Sequence, residues 1–168
     1  MPFAELVETQ ILPVGEGEPG GGAAIDQSTI YYEDGLNVGR FAQLLTIDGN
    51  ETLSNLDGTL TPKLAGVVSR TPVNPVSFGS TVGEAFNGAF RTEPNQTYRR
   101  QGLITVRLLT GAPEPTEYAA VYTLNSPDLV IGLENGNVTP DAAAPSVEAT
   151  TAQFIRKVQD GVWMINIK

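Results

Sequence analysis

The amino-acid sequence predicts an all-β protein: a single β-sandwich or β-barrel-like domain that carries an extended N-terminal arm. Glycine (18) and proline (12) are spread along the 168 residues and divide the chain into pieces too short for ordinary helices. Between these breaks, apolar residues alternate or form short β-branched runs, with turn signals at intervals of about 8 to 15 residues. A chain of this length suits one domain, so these strands are expected to build one core.

The N-terminal arm is predicted to span residues 1–35, and the β-rich body residues 36–168. The first 35 residues hold seven acidic residues and none of the basic ones. Their middle, VGEGEPGGGAA (14–24), offers little to bury and many ways to bend. We therefore expect a flexible acidic arm that becomes ordered when a partner holds it.

The body is predicted as a series of short strands. The last unit is the clearest, because AQFIRKV and VWMINIK flank the turn Gln159-Asp160-Gly161, and Trp163, Ile165 and Ile167 fall on one strand face. Residues 75–90 are ambiguous between strands and a helical turn. The other predicted strands are LNVGRFAQLLTI (36–47), KLAGVVSR (63–70), YRRQGLITVRLL (98–109), EYAAVYTL (117–124) and DLVIGLE (128–134). The turn Asp48-Gly49-Asn50 ends the first of these strands, and a Pro/Ala-rich connection follows the last.

Two adjacent arginines begin the segment TYRRQGLITVRLL (97–109). Strand alternation places Arg99 and Arg107 on a mostly polar face. The same alternation places Arg100 on the face of Ile104 and Val106, at the rim of the core. Arg100 is therefore predicted to pair with an acid of this protein or of a neighbouring subunit.

Composition and charge exclude several classes of function. The chain has no cysteine and no histidine, which removes disulfides, thiolate metal sites, cysteine nucleophiles and the usual general base at neutral pH. The net charge of −9 disfavours nucleic acid and anionic lipid as partners. No segment is apolar enough to span a membrane, and the first residues are not predicted to be a signal peptide. No catalytic residue, cofactor or metal is predicted, although a carboxylate pair such as Glu114 and Glu117, or Asp48 and Glu51, leaves a hydrolase open.

The order of the body segments is similar to that of a known family. GLNVGRFA, AGVVSRTPV, YRRQGLITV, YAAVYTL and FIRKVQDGVWMINIK together resemble the structural cement proteins, also called decoration proteins, of tailed-phage capsids. The resemblance covers roughly residues 35–168, is best at Arg40, Arg70 and Gly102, and does not extend to residues 75–97.

This resemblance implies a non-enzymatic homo-oligomer, expected to be a trimer, on the outer capsid surface of the virion. It would bind the major capsid protein and stabilise the shell by bridging its subunits. The residues expected to bind the partner are apolar and acidic side chains of the arm together with one arginine of the body: Phe3, Glu5, Leu6, Glu8, Ile11, Leu12 and Arg100. The alternative is a receptor- or glycan-binding β module of a phage fibre or adhesin, whose aromatic contacts would come from Tyr31, Tyr32, Tyr98 and Tyr118.

Overall fold

A computed structural model describes residues 16–69 and 96–168 of the chain. The described residues form nine strands and a short 3-10 helix, and the named strand pairs are antiparallel. The predicted all-β class is confirmed. The strands are β1 (Ile25–Thr29), β2 (Phe41–Ile47), β3 (Asn50–Asn55), β4 (Leu64–Val68), β5 (Gln96–Arg107), β6 (Ala120–Leu124), β7 (Val138–Thr139), β8 (Val147–Gln159) and β9 (Val162–Ile167), and the 3-10 helix is Ile131–Glu134.

The sheet follows the order β3-β2-β4-β5-β9-β8-β6-β7, and β1 is added beside β5. The long strand β5 organises this sheet, since its first half pairs with β4 and β1 and its second half pairs with β9. Gly102, with φ of 109°, stands where the pairing changes, in a backbone conformation that favours glycine. A glycine in this conformation can bend a strand, so that one strand belongs to two parts of a curved sheet.

The part of the sheet around β1 to β4 curls back on itself. Directly after β1, the carbonyl of Tyr31 accepts a hydrogen bond from the amide of Leu53, and the amide of Glu33 donates to the carbonyl of Leu53, both at 2.9 Å. Leu53 lies on β3, at the opposite edge of this part of the sheet from β1. The segment that begins by pairing with β5 therefore ends by covering the β3 edge, which makes the fold barrel-like.

The main core lies under the C-terminal hairpin. Phe154 on β8 and Trp163 on β9 meet edge to face, with ring centroids 5.7 Å apart and planes at 82°. Trp163, Ile165 and Ile167 are all buried in this core, so the predicted hairpin and its buried face are confirmed. A second, smaller cluster forms around Leu53, Val68 and Tyr98.

One predicted strand is absent from the structure, and one observed strand is not predicted. Residues 128–134 are predicted as a strand, but they form a turn followed by the 3-10 helix, because Asp128 and Gly132 close a hydrogen-bonded turn there. The segment NETLSN, which forms β3, is not predicted as a strand because polar residues dominate it. The predicted Pro/Ala-rich connection contains the short strand β7 and leads into β8. The ambiguous segment 75–90 lies outside the described residues.

The predicted faces of β5 are correct at Arg107, which is exposed, but wrong at Arg99 and Arg100. Arg99 is buried, with 5% of its surface exposed, whereas Arg100 is exposed. The pairing register of β1 with β5 shifts between Ile25 and Asp26, and Gly102 follows with its positive φ. Strict alternation therefore does not hold across this point, and the arginines exchange the environments that alternation predicts.

The described part of the predicted arm, residues 16–35, contacts the body. Gly17 and Gly20 donate backbone hydrogen bonds to the carbonyls of Thr105 and Leu103, both at 2.8 Å, and Thr105 donates to Glu18 at 3.1 Å. A Cβ on Gly17 would lie 2.4 Å from Cγ1 of Val38, so glycine permits this close approach. We call residues 16–20 the arm root; the division of the chain at residue 35 remains a prediction.

Candidate docking surface

The connection between β6 and β7 exposes a group of apolar side chains. We call residues 128–134 the apolar loop. Its exposed fractions are 91% for Leu129, 77% for Val130, 50% for Ile131 and 73% for Leu133. Single exposed apolar residues are common on protein surfaces, but several on one short segment are typical of an interaction site.

The side chain of Asp128 stabilises the start of the apolar loop. Its Oδ1 accepts hydrogen bonds from the amides of Val130 (2.8 Å) and Ile131 (3.1 Å), and its carbonyl accepts one from Gly132 (2.7 Å). The amides of Ile131 and Val130 hold the pKa of the Asp128 carboxyl below its usual value, because they stabilise its charged form. The conformation that exposes the apolar side chains is thus stabilised by the loop's own hydrogen bonds.

Asn135 joins the two ends of the apolar loop to the body. Its Oδ1 accepts from the amide of Ser126 at 2.7 Å, and its Nδ2 donates to the carbonyls of Ser126 (2.9 Å) and Leu56 (3.0 Å). The residue is 5% exposed, so these hydrogen bonds are shielded from water. A buried amide with three good partners holds its surroundings in one arrangement.

A neighbouring loop, residues 57–61, is hydrogen-bonded to Asn125, which lies just before the apolar loop. The Asn125 Oδ1 accepts from the amide of Gly58 at 2.7 Å, and its Nδ2 donates to the carbonyl of Thr59 at 2.9 Å. A Cβ on Gly58 would lie 2.4 Å from Cα of Pro127, which requires glycine at this contact. Leu60, in the same loop, is 87% exposed. The two loops therefore form one structural unit that presents apolar side chains.

The arm root lies beside the C-terminal end of the apolar loop. Nη1 of Arg40 donates to the carbonyl of Leu133 at 2.6 Å, and Arg107 forms an ion pair with Glu16. Together with Glu134, these charged residues line one polar depression. Burial lowers the pKa of Arg40, while the negative charges of Glu16 and Glu134 oppose that effect. One charge of the arm root and one charge at the loop end therefore both act on Arg40.

Glu134 is oriented by hydrogen bonds as well as by charge. Its Oε1 accepts from the amide of Thr110 at 3.1 Å and from the Thr110 hydroxyl at 2.7 Å. Burial would raise the pKa of Glu134, but hydrogen bonds from Thr110 and Asn137 and the positive charge of Arg40 outweigh it, so the pKa lies below its usual value. This carboxylate is thus negatively charged at neutral pH.

Most of the predicted binding residues fall outside the described part of the chain: Phe3, Glu5, Leu6, Glu8, Ile11 and Leu12. The exception is Arg100, which is exposed on β5 and donates from Nη1 to Oε1 of Gln27 on β1 at 3.2 Å. Arg100 does not line the depression at the arm root. Its predicted role in binding a partner stays a prediction.

Several residues predicted for the alternative functions are buried or paired with other side chains. Tyr98 is 1% exposed within the smaller core cluster, and Tyr32 is half-buried against it, which leaves Tyr31 and Tyr118 as exposed tyrosines of the predicted set. Glu114 forms an ion pair with Lys157 at 3.1 Å. Within residues 16–69 and 96–168 no three carboxylates cluster as metal ligands, and no helix is long and apolar enough to cross a membrane.

Sequence reasoning missed the apolar loop because a run of Leu, Val and Ile normally predicts a buried strand. The signals of a turn are nevertheless present. Pro127 precedes an aspartate that can accept from amides two and three residues later, and Asn135-Gly136 ends the segment. These residues favour a turn more strongly than the apolar run favours a strand, because they provide hydrogen-bond partners for the backbone without strand pairing.

The described strands define a curled antiparallel β-sheet domain, and this fold occurs in a solved structure. The chain is similar to a chain in the structure of the capsid of the Myoviridae phage XM1, with a TM-score of 0.70 and 23% sequence identity. The similarity covers 92% of this chain and 89% of that one, so nearly the whole fold is shared. No family model and no curated protein matches the sequence.

Proposed function

We propose that this chain is a non-enzymatic structural protein of a phage virion, which binds the outer surface of the capsid and stabilises the shell by bridging major capsid protein subunits. The observation that carries the proposal is the shared fold, which extends over 92% of this chain and 89% of a chain from the capsid of phage XM1. The sequence resemblance to cement proteins points independently to the same role.

The arm is the first proposed contact with the shell. Its apolar residues Phe3, Leu6, Ile11 and Leu12 would supply about 1.5 to 3 kcal/mol for each fully buried side chain. Glu5 and Glu8 would add exposed ion pairs with basic residues of the capsid protein, each worth about 0 to 1 kcal/mol. Because the arm root is hydrogen-bonded to β5, it would attach the proposed arm firmly to the body.

Bridging requires that one assembly contacts several capsid subunits. We propose a homotrimer, in which three arms bind three sites at once and so gain avidity from weak individual contacts. The exposed guanidinium of Arg100 is a proposed further contact, either to an acid of a neighbouring copy or to the shell.

Deletion of residues 1–14 tests the proposal while keeping the arm root. Undecorated shells assembled from the major capsid protein encoded in the same genome are mixed with the full chain or the deletion variant and sedimented. The full chain is expected to co-sediment at saturating stoichiometry, and the variant to bind far more weakly with an unchanged unfolding transition. Failure of the full chain to bind these shells would contradict the proposed function, whereas equal binding by both would restrict the error to the arm.

A further inference from the structure

We propose that the apolar loop is itself a docking surface, and that it inserts into an apolar socket with a basic rim on the capsid protein. This inference rests on the proposed function, which supplies the partner. It concerns residues that the sequence resemblance does not single out, and it can fail while capsid binding by the arm stands.

The apolar loop exposes its apolar side chains in an ordered conformation. Leu129 and Leu133 are 91% and 73% exposed, yet the backbone between Asp128 and Asn135 is fixed by side-chain and backbone hydrogen bonds. A segment whose apolar residues served the core would turn them inward. Here the buried side chain is the polar Asn135, and the apolar ones face solvent, which is the arrangement of a preorganised contact.

The charge of the surface around the apolar loop selects the partner. Asp128 begins the apolar loop, and the depression at its end is lined by Glu16, Glu114 and Glu134 together with Arg40 and Arg107, so four acidic residues lie here against two basic ones. The nearby Arg40 already donates to the carbonyls of Leu133 and Asn135. A second copy that presented the same face would bring acidic residues against acidic residues, which is unfavourable. A basic rim around an apolar socket is complementary to this surface.

The position of the apolar loop also connects it with the arm root. Glu16, the first described residue, lines the same polar depression as Glu134 at the end of the apolar loop, and the charges of both act on Arg40. The arm root, through which the proposed arm joins the body, therefore lies beside the apolar loop. A partner that contacts the protein at the arm root lies next to the loop as well.

The test removes apolar surface without touching the hydrogen bonds that hold the loop. Leu129→Ser/Leu133→Ser is expected to bind the shells of the preceding experiment at least about tenfold more weakly than the unchanged chain. Its unfolding transition should not change, since both side chains are exposed in the free protein. Ile131→Ser and Ile47→Ser form a matched pair, because both isoleucines are exposed, at 50% and 39%, and Ile47 lies on β2, outside the arm and the apolar loop. Ile131→Ser should weaken binding and Ile47→Ser should not.

The outcomes separate this inference from the function on which it rests. If the unchanged chain does not bind the shells, the proposed function fails and the inference fails with it. If the unchanged chain binds and the double variant binds equally well, the inference alone is overturned. A double variant that loses self-association in analytical ultracentrifugation, while it binds shells as before, would assign the loop to a second copy and would also overturn it.

Discussion

Arg99 on β5 and Asp26 on β1 form a bidentate ion pair, with Nε 2.8 Å from Oδ1 and Nη2 2.9 Å from Oδ2. The arginine side chain is 6% exposed and the aspartate side chain 41%. Nη1 of the same guanidinium donates to the carbonyls of Gly20 (3.3 Å) and Leu103 (2.5 Å). One buried arginine thus ties β1 and the arm root to β5.

Substitution Asp26→Asn should destabilise the fold, because it leaves a buried guanidinium without its counter-charge. We expect the free energy of unfolding to fall by about 1.5 to 3 kcal/mol, below the cost of breaking a fully buried pair because Asp26 is partly solvated. Urea denaturation measures the change. Asp34→Asn, at an exposed position, is the control and should change stability little. Equal stability of the two variants would contradict the structural role of the pair.

The same ion pair predicts a pH dependence of stability. The hydrogen bond from Arg99 lowers the pKa of Asp26 below 3.8, although burial opposes the shift. As the pH falls, Asp26 therefore takes up a proton in the unfolded chain before it does so in the folded protein. Its contribution to the free energy of unfolding is complete above the unfolded pKa and is lost as the pH falls through the folded pKa. The stability difference between the unchanged protein and Asp26→Asn should stay constant from pH 7 to about pH 5. It should shrink below about pH 4, and a difference that grew on acidification would oppose this assignment.

The prediction of the fold from the sequence succeeded where a local pattern and the tertiary structure agree. The β8–β9 hairpin has a glycine turn and an apolar face, and both are used as the pattern predicts. Alternation failed on β5, because the environment of Arg99 depends on its pairing with β1, whose partner residue Asp26 lies 73 positions away in the sequence. Periodicity within one strand contains no information about such a partner.

The conformation of the glycine-rich arm root also could not be predicted from its own sequence. A glycine-rich segment predicts flexibility when no neighbour is known. In the structure, Gly17 and Gly39 lie against each other, since a Cβ on either would approach the backbone amide of the other to 2.8 Å. The same residue type permits bending in one context and close backbone approach in another, and the sequence of one segment does not distinguish them.

Substitution Gly39→Ala should detach the arm root from β5. Gly39 has φ of 77°, and an added Cβ would lie 2.8 Å from the amide nitrogen of Gly17. Gly35→Ala is a matched control, because Gly35 has φ of 79° but nothing within 4 Å of an added Cβ. Both variants should lose about 1 kcal/mol of stability from backbone strain. Gly39→Ala alone should also accelerate hydrogen exchange at the amides of Gly17 and Gly20, and equal exchange in both variants would count against close packing at the arm root.

The apolar loop should depend on Asn135 for its fixed conformation. Asn135→Ala leaves the amide of Ser126 and the carbonyls of Ser126 and Leu56 without their side-chain partner. We expect a loss of about 2 to 4 kcal/mol, because buried polar groups without hydrogen bonds are costly. Denaturation with urea measures this loss.

Asn137→Ala is the matched control for Asn135→Ala, since both asparagines are buried but the side chain of Asn137 makes fewer hydrogen bonds. The Asn137 side chain donates one long hydrogen bond to Glu134, at 3.4 Å, and its Oδ1 has no partner among the described residues. Its removal should cost about 1 kcal/mol. Limited proteolysis with chymotrypsin gives a local readout, because Leu129 and Leu133 become cleavable when the loop loosens. Asn135→Ala should be cut there faster than Asn137→Ala, and equal rates would show that Asn135 does not hold the loop.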